Sequence, residues 1–296
     1  MSLFEQAIAR LRNQATASST APFGPKSPAG PDSSAVHSTA PVSVPMEPAK
    51  RVAIDLAGLR ERAYLPEETK ARQFADHYRR IKRPLIDKAL SGASSLGESR
   101  VMMVTSALPG DGKTFTSINL ALSMALERDI SVLLVDCDVV KGHISEIFGL
   151  KHDTGLVDAL IDESLDIESL VVGTDQRGLS ILPAGTRTEE TTELLSSNRM
   201  RQLIANLGSR VPRRLLLLDS PPLLITNEGR ALTKLAGQVV LVVRAGHTPR
   251  QAVTDAIALF DPQQAGGIIL NEVKMARSEG YGYYGYGSYG TDGDVP

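Results

Sequence analysis

The chain has 296 residues, 42% of them hydrophobic, with a net charge of −2, enough for one large α/β domain with extensions. The near-neutral balance gives no electrostatic pointer to nucleic acid, and the single cysteine, Cys137, excludes an internal disulfide. No apolar run approaches the ~20 residues of a membrane-spanning helix, and the N-terminus lacks the basic and apolar blocks of a secretory signal. The expectation is a cytoplasmic protein, reaching a membrane only through a partner.

In chain order, Leu3, Phe4, Ala7, Ile8 and Leu11 recur at helical spacing, so residues 1–13 read as a short amphipathic helix or equally as a frayed terminus. Residues 14–50, rich in Pro, Ser, Ala and Thr, read as a disordered linker. Residues 51–100 form a lead-in that turns helical from Pro66, with Phe74, Tyr78 and Ile81 on one side and Pro84 interrupting. Asp76, Arg79 and Lys82 lie three apart and share roughly one face, by itself an ordinary solvated surface. A loop over 91–100 precedes the main domain, set at 101–275.

Apolar runs in that domain predict strands at 101–105, 130–135, 179–182, 215–218, 239–243 and 267–270. Helices are predicted over 118–126, 143–148, 155–161, 190–207, 227–235 and 250–260. Uniformly apolar strands alternating with helices predict an α/β fold, a mostly parallel central sheet covered by helices on both faces. Ligands of such sheets sit beyond the carboxyl ends of the strands. The final stretch, 276–296, carries Tyr281, Tyr283, Tyr284, Tyr286 and Tyr289 among glycines and reads as a mobile tail.

Pro109-Gly110-Asp111-Gly112-Lys113-Thr114 joins the first of these strands to a helix. Glycines let the backbone curl its N–H groups inward, and the helix N-terminus adds positive potential, so the stretch suits a nucleotide phosphate. Lys113 is placed for the β/γ-phosphates and Thr114 for Mg²⁺. The G-x-x-x-x-G-K-[ST] pattern asks for Gly where this chain has Ala107. Asp136, Asp138 and Asp219 end two further apolar strands. Mg²⁺ takes one or two carboxylates beside phosphate, hydroxyl and water oxygens, and a further carboxylate is then free to accept a proton. Cys137, between two of the aspartates, reads as a small buried hydrophobe.

Together with Val135-Asp136-Cys137-Asp138 and Leu218-Asp219-Ser220-Pro221-Pro222, the loop resembles the Walker A, A′ and B motifs of bacterial tyrosine autokinases, P-loop NTPases related to MinD and ParA. Tyr78–Pro84 and Thr105–Gly110 look closest to the exosortase-associated subgroup. The resemblance covers about residues 70–290 and implies a P-loop NTPase fold, ATP and Mg²⁺. It implies nucleotide binding by Pro109, Gly110, Asp111, Gly112, Lys113, Thr114 and Phe115, with Asn271 at the base. It implies metal binding by Thr114, Asp136 and Asp219, and catalysis by Lys113, Asp136, Asp138 and Asp219, with Asp138 or Asp136 as the base. The five tail tyrosines become acceptors. Asp76-x-x-Arg79-x-x-Lys82 stands where relatives carry E-x-x-R-x-x-R, a contact between ring subunits, here with a shorter acid and a point charge in place of an Arg fork. A membrane polysaccharide co-polymerase (chain-length determinant) is implied as activator, and exopolysaccharide synthesis and export as the setting, with no nucleic acid and no membrane span. Leu108 replaces the early signature lysine of MinD and ParA relatives.

Two other readings use the same loop: a MinD/ParA-like ATPase that transfers phosphate only to water, which leaves the tyrosines unexplained, and an assembly module that binds ATP without catalysis.

Overall fold

The computed structural model describes residues 48–91 and 98–273. The predicted segment at 1–13, most of the linker and the five tail tyrosines lie outside the described residues.

The described residues build one sheet of eight strands. These are β1 (Lys50–Val52), β2 (Val101–Ser106), β3 (Ser131–Asp136), β4 (Val172–Thr174), β5 (Leu179–Leu182), β6 (Arg214–Asp219), β7 (Gln238–Arg244) and β8 (Ala265–Asn271). Their spatial order is β1-β4-β5-β3-β6-β2-β7-β8. Neighbours from β5 to β8 pair parallel, whereas β4 pairs antiparallel with β5 and parallel with β1. The sheet is therefore mostly parallel, as its apolar strands predict.

The helices are α1 (Leu56–Glu61), α2 (Ala71–Leu90), α3 (Lys113–Ala125), α4 (His143–Ile147), α5 (Leu156–Ile161), α6 (Thr191–Ser196), α7 (Asn198–Arg210), α8 (Asn227–Thr233) and α9 (Arg250–Ile257). Two cores form. On one face α1 to α4 pack through Leu59, Leu85, Leu120 and Ile144 against Met102, Leu134 and Leu217. On the other, α5 to α9 pack through Leu156, Leu195, Leu203, Leu232 and Ala256 against Met103, Leu133 and Leu218. Successive strand residues point to opposite faces, so a strand covered on both sides must be apolar throughout. All six residues of β2 and of β6 are buried.

Three expectations need correction. Pro84 does not interrupt the lead-in helix: α2 runs through it from Ala71 to Leu90. Proline forfeits one N–H and frees the carbonyl four residues earlier. That residue, Arg80, is solvent-exposed, while Leu85 and Ile86 just beyond the proline are buried and anchor the helix. The single helix expected over 190–207 is two, because Ser197 is extended and its side chain accepts from the N–H of Met200, capping α7. The linker drawn to residue 50 overlaps β1, which begins there and pairs in register with β4.

Candidate active site

The topology brings three chain segments together at the carboxyl ends of β2, β3 and β6. Val104 of β2 is opposite Asp219 of β6, and Asp136 of β3 is opposite Asp219 on its other side. The loop leaving β2 therefore rises beside both carboxylates.

Gly110 and Gly112 take φ of +85° and +95°, a region open to glycine and strained for other residues. Gly112 caps α3 with no side-chain hydrogen bond. The first-turn N–H groups of this helix of 13 residues are thus left for an anion. Lys113 opens α3 and donates from Nζ to Asp138 Oδ2 at 2.7 Å. The next residue, Thr114, through Oγ1 and, one turn on, Ser117 through Oγ donate to the two oxygens of Asp219, at 3.0 and 2.8 Å. Asp136 accepts at Oδ2 from the N–H and hydroxyl of Ser145, at 2.8 and 2.7 Å, and its Oδ1 is buried without a hydrogen-bond partner.

Three buried carboxylates thus face one ammonium, and the electrostatics follow. Burial, then the neighbouring Asp219, pushes Asp136 up to about 7. Burial likewise raises Asp219, against the pull of Lys113 and the Ser117 and Thr114 hydroxyls. For Lys113, burial acts downward, but the Asp219, Asp138 and Asp136 carboxylates outweigh it and raise the ammonium. An added divalent cation relieves this excess of acid, and the orphan Oδ1 of Asp136 is an oxygen ready for one. Among the described residues no three His, Cys, Asp or Glu side chains are placed to hold a metal alone. Mg²⁺ does not need that, because it keeps waters and shares substrate phosphates with one or two carboxylates. The donor set fits Mg²⁺-nucleotide.

Other predicted site residues sit as follows. Pro109 and Asp138 line a cavity of about 290 Å³ whose rim carries Val140 and Ile225, both exposed. Asp111 is buried beneath the loop, accepting at Oδ1 from Thr248 Oγ1 at 2.7 Å. Phe115 sets its ring edge against Phe74 of α2, centroids 6.2 Å apart. Asn271, at the end of β8, donates from Nδ2 to the Asp111 carbonyl at 3.0 Å. Cys137 is buried, its thiol pushed far up by burial. Asp76 and Arg79 pair with each other at the surface of α2. Lys82 parts from them: it is buried, with Nζ on the Ser123 carbonyl and on Glu127 at 2.9 Å.

Sequence reasoning missed Ser117, Ser145 and Thr248. Ser117 had a signal, since three residues after Thr114 it shares that residue's helix face. Ser145 and Thr248 had none, because Ser145 reaches Asp136 from the short helix α4 and Thr248 reaches Asp111 from the loop after β7.

The sequence matches the AAA domain family over residues 99–262. It is 31% identical over 191 residues to the tyrosine-protein kinase YwqD of Bacillus subtilis, an alignment covering 64% of this chain and 78% of YwqD. The chain belongs to the bacterial tyrosine-protein kinase family.

This tyrosine-protein kinase homologue is also 33% identical over 208 residues to the tyrosine-protein kinase Wzc of Salmonella typhimurium, an alignment covering 70% of this chain. It spans only 28% of Wzc's length. Its fold matches the kinase domain of the Escherichia coli tyrosine kinase ETK with a TM-score of 0.55 and 28% identity, over 64% of this chain and 73% of that one. The fold is that of the P-loop NTPases, as the loop and sheet order require. No helix among the described residues is long and apolar enough to cross a membrane.

Proposed function

We propose that the chain is an ATP-dependent protein-tyrosine autokinase that phosphorylates its own C-terminal tyrosine cluster. The observation that carries this reading is the position of Asp138. It holds the loop lysine through one oxygen and lines an open cavity beside the loop, where an acceptor hydroxyl and a terminal phosphate would meet.

Lys113 and the amides of the loop bind and orient the phosphates, and Thr114, Asp219 and Asp136 are the residues for Mg²⁺. When bound, Mg²⁺ neutralises phosphate charge. The tyrosine oxygen forms a bond to the γ-phosphorus while the bond to the bridging oxygen breaks and ADP leaves. The phenolic proton passes to Asp138, needed because tyrosine's pKa of about 10 leaves it protonated at neutral pH. Exposed Val140 and Ile225 at the cavity rim suit an aromatic acceptor.

Tyr281, Tyr283, Tyr284, Tyr286 and Tyr289 follow soon after β8. Delivery to a neighbouring subunit's site is easier than return to the chain's own, which favours a ring in which Asp76 and Arg79, exposed on α2, meet the next copy. A separate membrane co-polymerase of an exopolysaccharide system would activate the kinase at the inner face of the plasma membrane. Each phosphate adds about −1.5 to −2 charges, so phosphorylated tails repel and loosen the ring.

The test is incubation with Mg²⁺-ATP and detection of phosphotyrosine, in the full chain and in a form ending at Val273. Phosphotyrosine that disappears with the tail supports the reading. ATP hydrolysis with no phosphotyrosine would point to the MinD/ParA-like alternative.

A further inference from the structure

The geometry points to Thr248 and Asn271 as positioning residues that brace the phosphate-binding loop from the ends of the neighbouring strands β7 and β8. Thr248 lies in the loop between β7 and α9. Its hydroxyl donates to Asp111 Oδ1 at 2.7 Å and accepts the N–H of Arg244 at 2.9 Å, so its hydrogen-bonding is directed by the end of β7. The other oxygen of Asp111 accepts from the N–H of Leu108 at 3.3 Å, closing the loop on itself. Asn271 takes the Asp111 carbonyl at 3.0 Å. Its amide nitrogen lies 2.0 Å from where a Cβ on Gly112 would stand. That contact holds position 112 to glycine and the loop against the end of β8. The two brace points are themselves tied, by the Asn271 carbonyl accepting from Ala245 N at 2.9 Å and by Arg244 to Glu272 at 2.7 Å.

The brace fixes the curl at Gly110 and Gly112 before any phosphate arrives. Binding then need not order the loop, and preorganisation of this kind strengthens affinity by removing an ordering cost. Asn271 thereby acts on the phosphates through the loop, whereas its resemblance-based role is at the base. The inference rests on the kinase reading only for the identity of the phosphate-bearing ligand.

Affinity for Mg²⁺-ATP and for Mg²⁺-tripolyphosphate, which has no base, tests it in the full chain. Thr248→Val and Asn271→Ala are each expected to weaken both ligands by the same factor, about tenfold, the scale of one lost hydrogen bond. Thr248→Ser, which keeps the hydroxyl, restores affinity, and kcat at saturating ATP stays within about twofold for Thr248→Val. Unchanged tripolyphosphate affinity in both variants overturns the brace. Loss of ATP but not tripolyphosphate in Asn271→Ala overturns it for Asn271 and returns that residue to the base. Because binding is measured directly, a chain that binds both ligands yet transfers no phosphate to tyrosine refutes the kinase reading alone. Hydrogen exchange on the unmutated chain is a second check: the Leu108 amide is expected to be protected without ligand, and fast exchange there contradicts the brace.

Discussion

The ammonium of Lys113 and the carboxylate of Asp138 meet at 2.7 Å, both side chains buried. In the proposed kinase, the lysine that would bind phosphate is thereby aimed by the residue that would receive the acceptor's proton. Replacing Asp138 by Asn keeps the shape and one acceptor oxygen but removes the base. Asp138→Asn is expected to lower the rate of phosphotyrosine formation by about 10²- to 10⁴-fold, the range of general-base contributions. ATP affinity, measured separately by calorimetry, should change far less. Equal losses in both would make Asp138 a binding residue.

Asp136 gives a pH signature. Its folded value of about 7 lies above its ordinary 3.8, so between those values the folded chain holds a proton that the unfolded chain has released. The associated stability is fully present below about pH 4 and is lost as pH rises through 7. Without added Mg²⁺, melting temperature should fall between about pH 4 and 7 and fall less in Asp136→Asn. Mg²⁺ requires the deprotonated carboxylate, so its stabilising effect in the presence of nucleotide should grow over the same interval. A pH profile identical in the two proteins contradicts the assignment.

Gly112 is expected to tolerate no side chain. Gly112→Ala combines φ of +95° with a Cβ 2.0 Å from Asn271 Nδ2. Something must move, and the movable parts are the loop and its brace. ATP affinity should fall by at least tenfold, with the fold retained by circular dichroism, since the added Cβ presses on Asn271, which belongs to neither apolar core.

Lys82 and Arg79 should behave differently although three residues apart on α2. Lys82→Ala removes a buried charge-assisted bond to the Ser123 carbonyl and is expected to lower unfolding free energy by about 1.5–3 kcal/mol. Arg79 pairs with Asp76 at the surface, their side chains 68% and 51% exposed. Arg79→Ala should change stability by no more than about 1 kcal/mol and should act, if the ring forms, on its assembly. Denaturant unfolding reads the first effect and light scattering the second.

The sequence was most readable where physics leaves one choice. Strands covered on both faces have to be apolar, so β2, β3, β6 and β7 were visible as runs. Their carboxyl ends named Lys113, Asp136, Asp138 and Asp219 as neighbours, and the structure does gather them. It was least readable where tertiary packing overrides a local rule. Three-residue β1 and β4 carry no pattern long enough to detect. Pro84 stays helical because buried Leu85 and Ile86 hold the turn beyond it. Ser197 splits a helix because its side chain serves as a cap. Lys82 has the spacing of a surface residue, yet its long stem lets the ammonium reach the carbonyl of Ser123 on the adjacent helix. Thr248 is 137 residues from Asp111 in sequence, a separation that no motif spans.

The most direct test of the central claim is mass-spectrometric mapping of phosphorylation after incubation with Mg²⁺-ATP, in the full chain beside Lys113→Met. Phosphate is expected on tyrosines among Tyr281, Tyr283, Tyr284, Tyr286 and Tyr289 in the first and on none in the second. Tail phosphate persisting in Lys113→Met, with ATP still required, would contradict that claim.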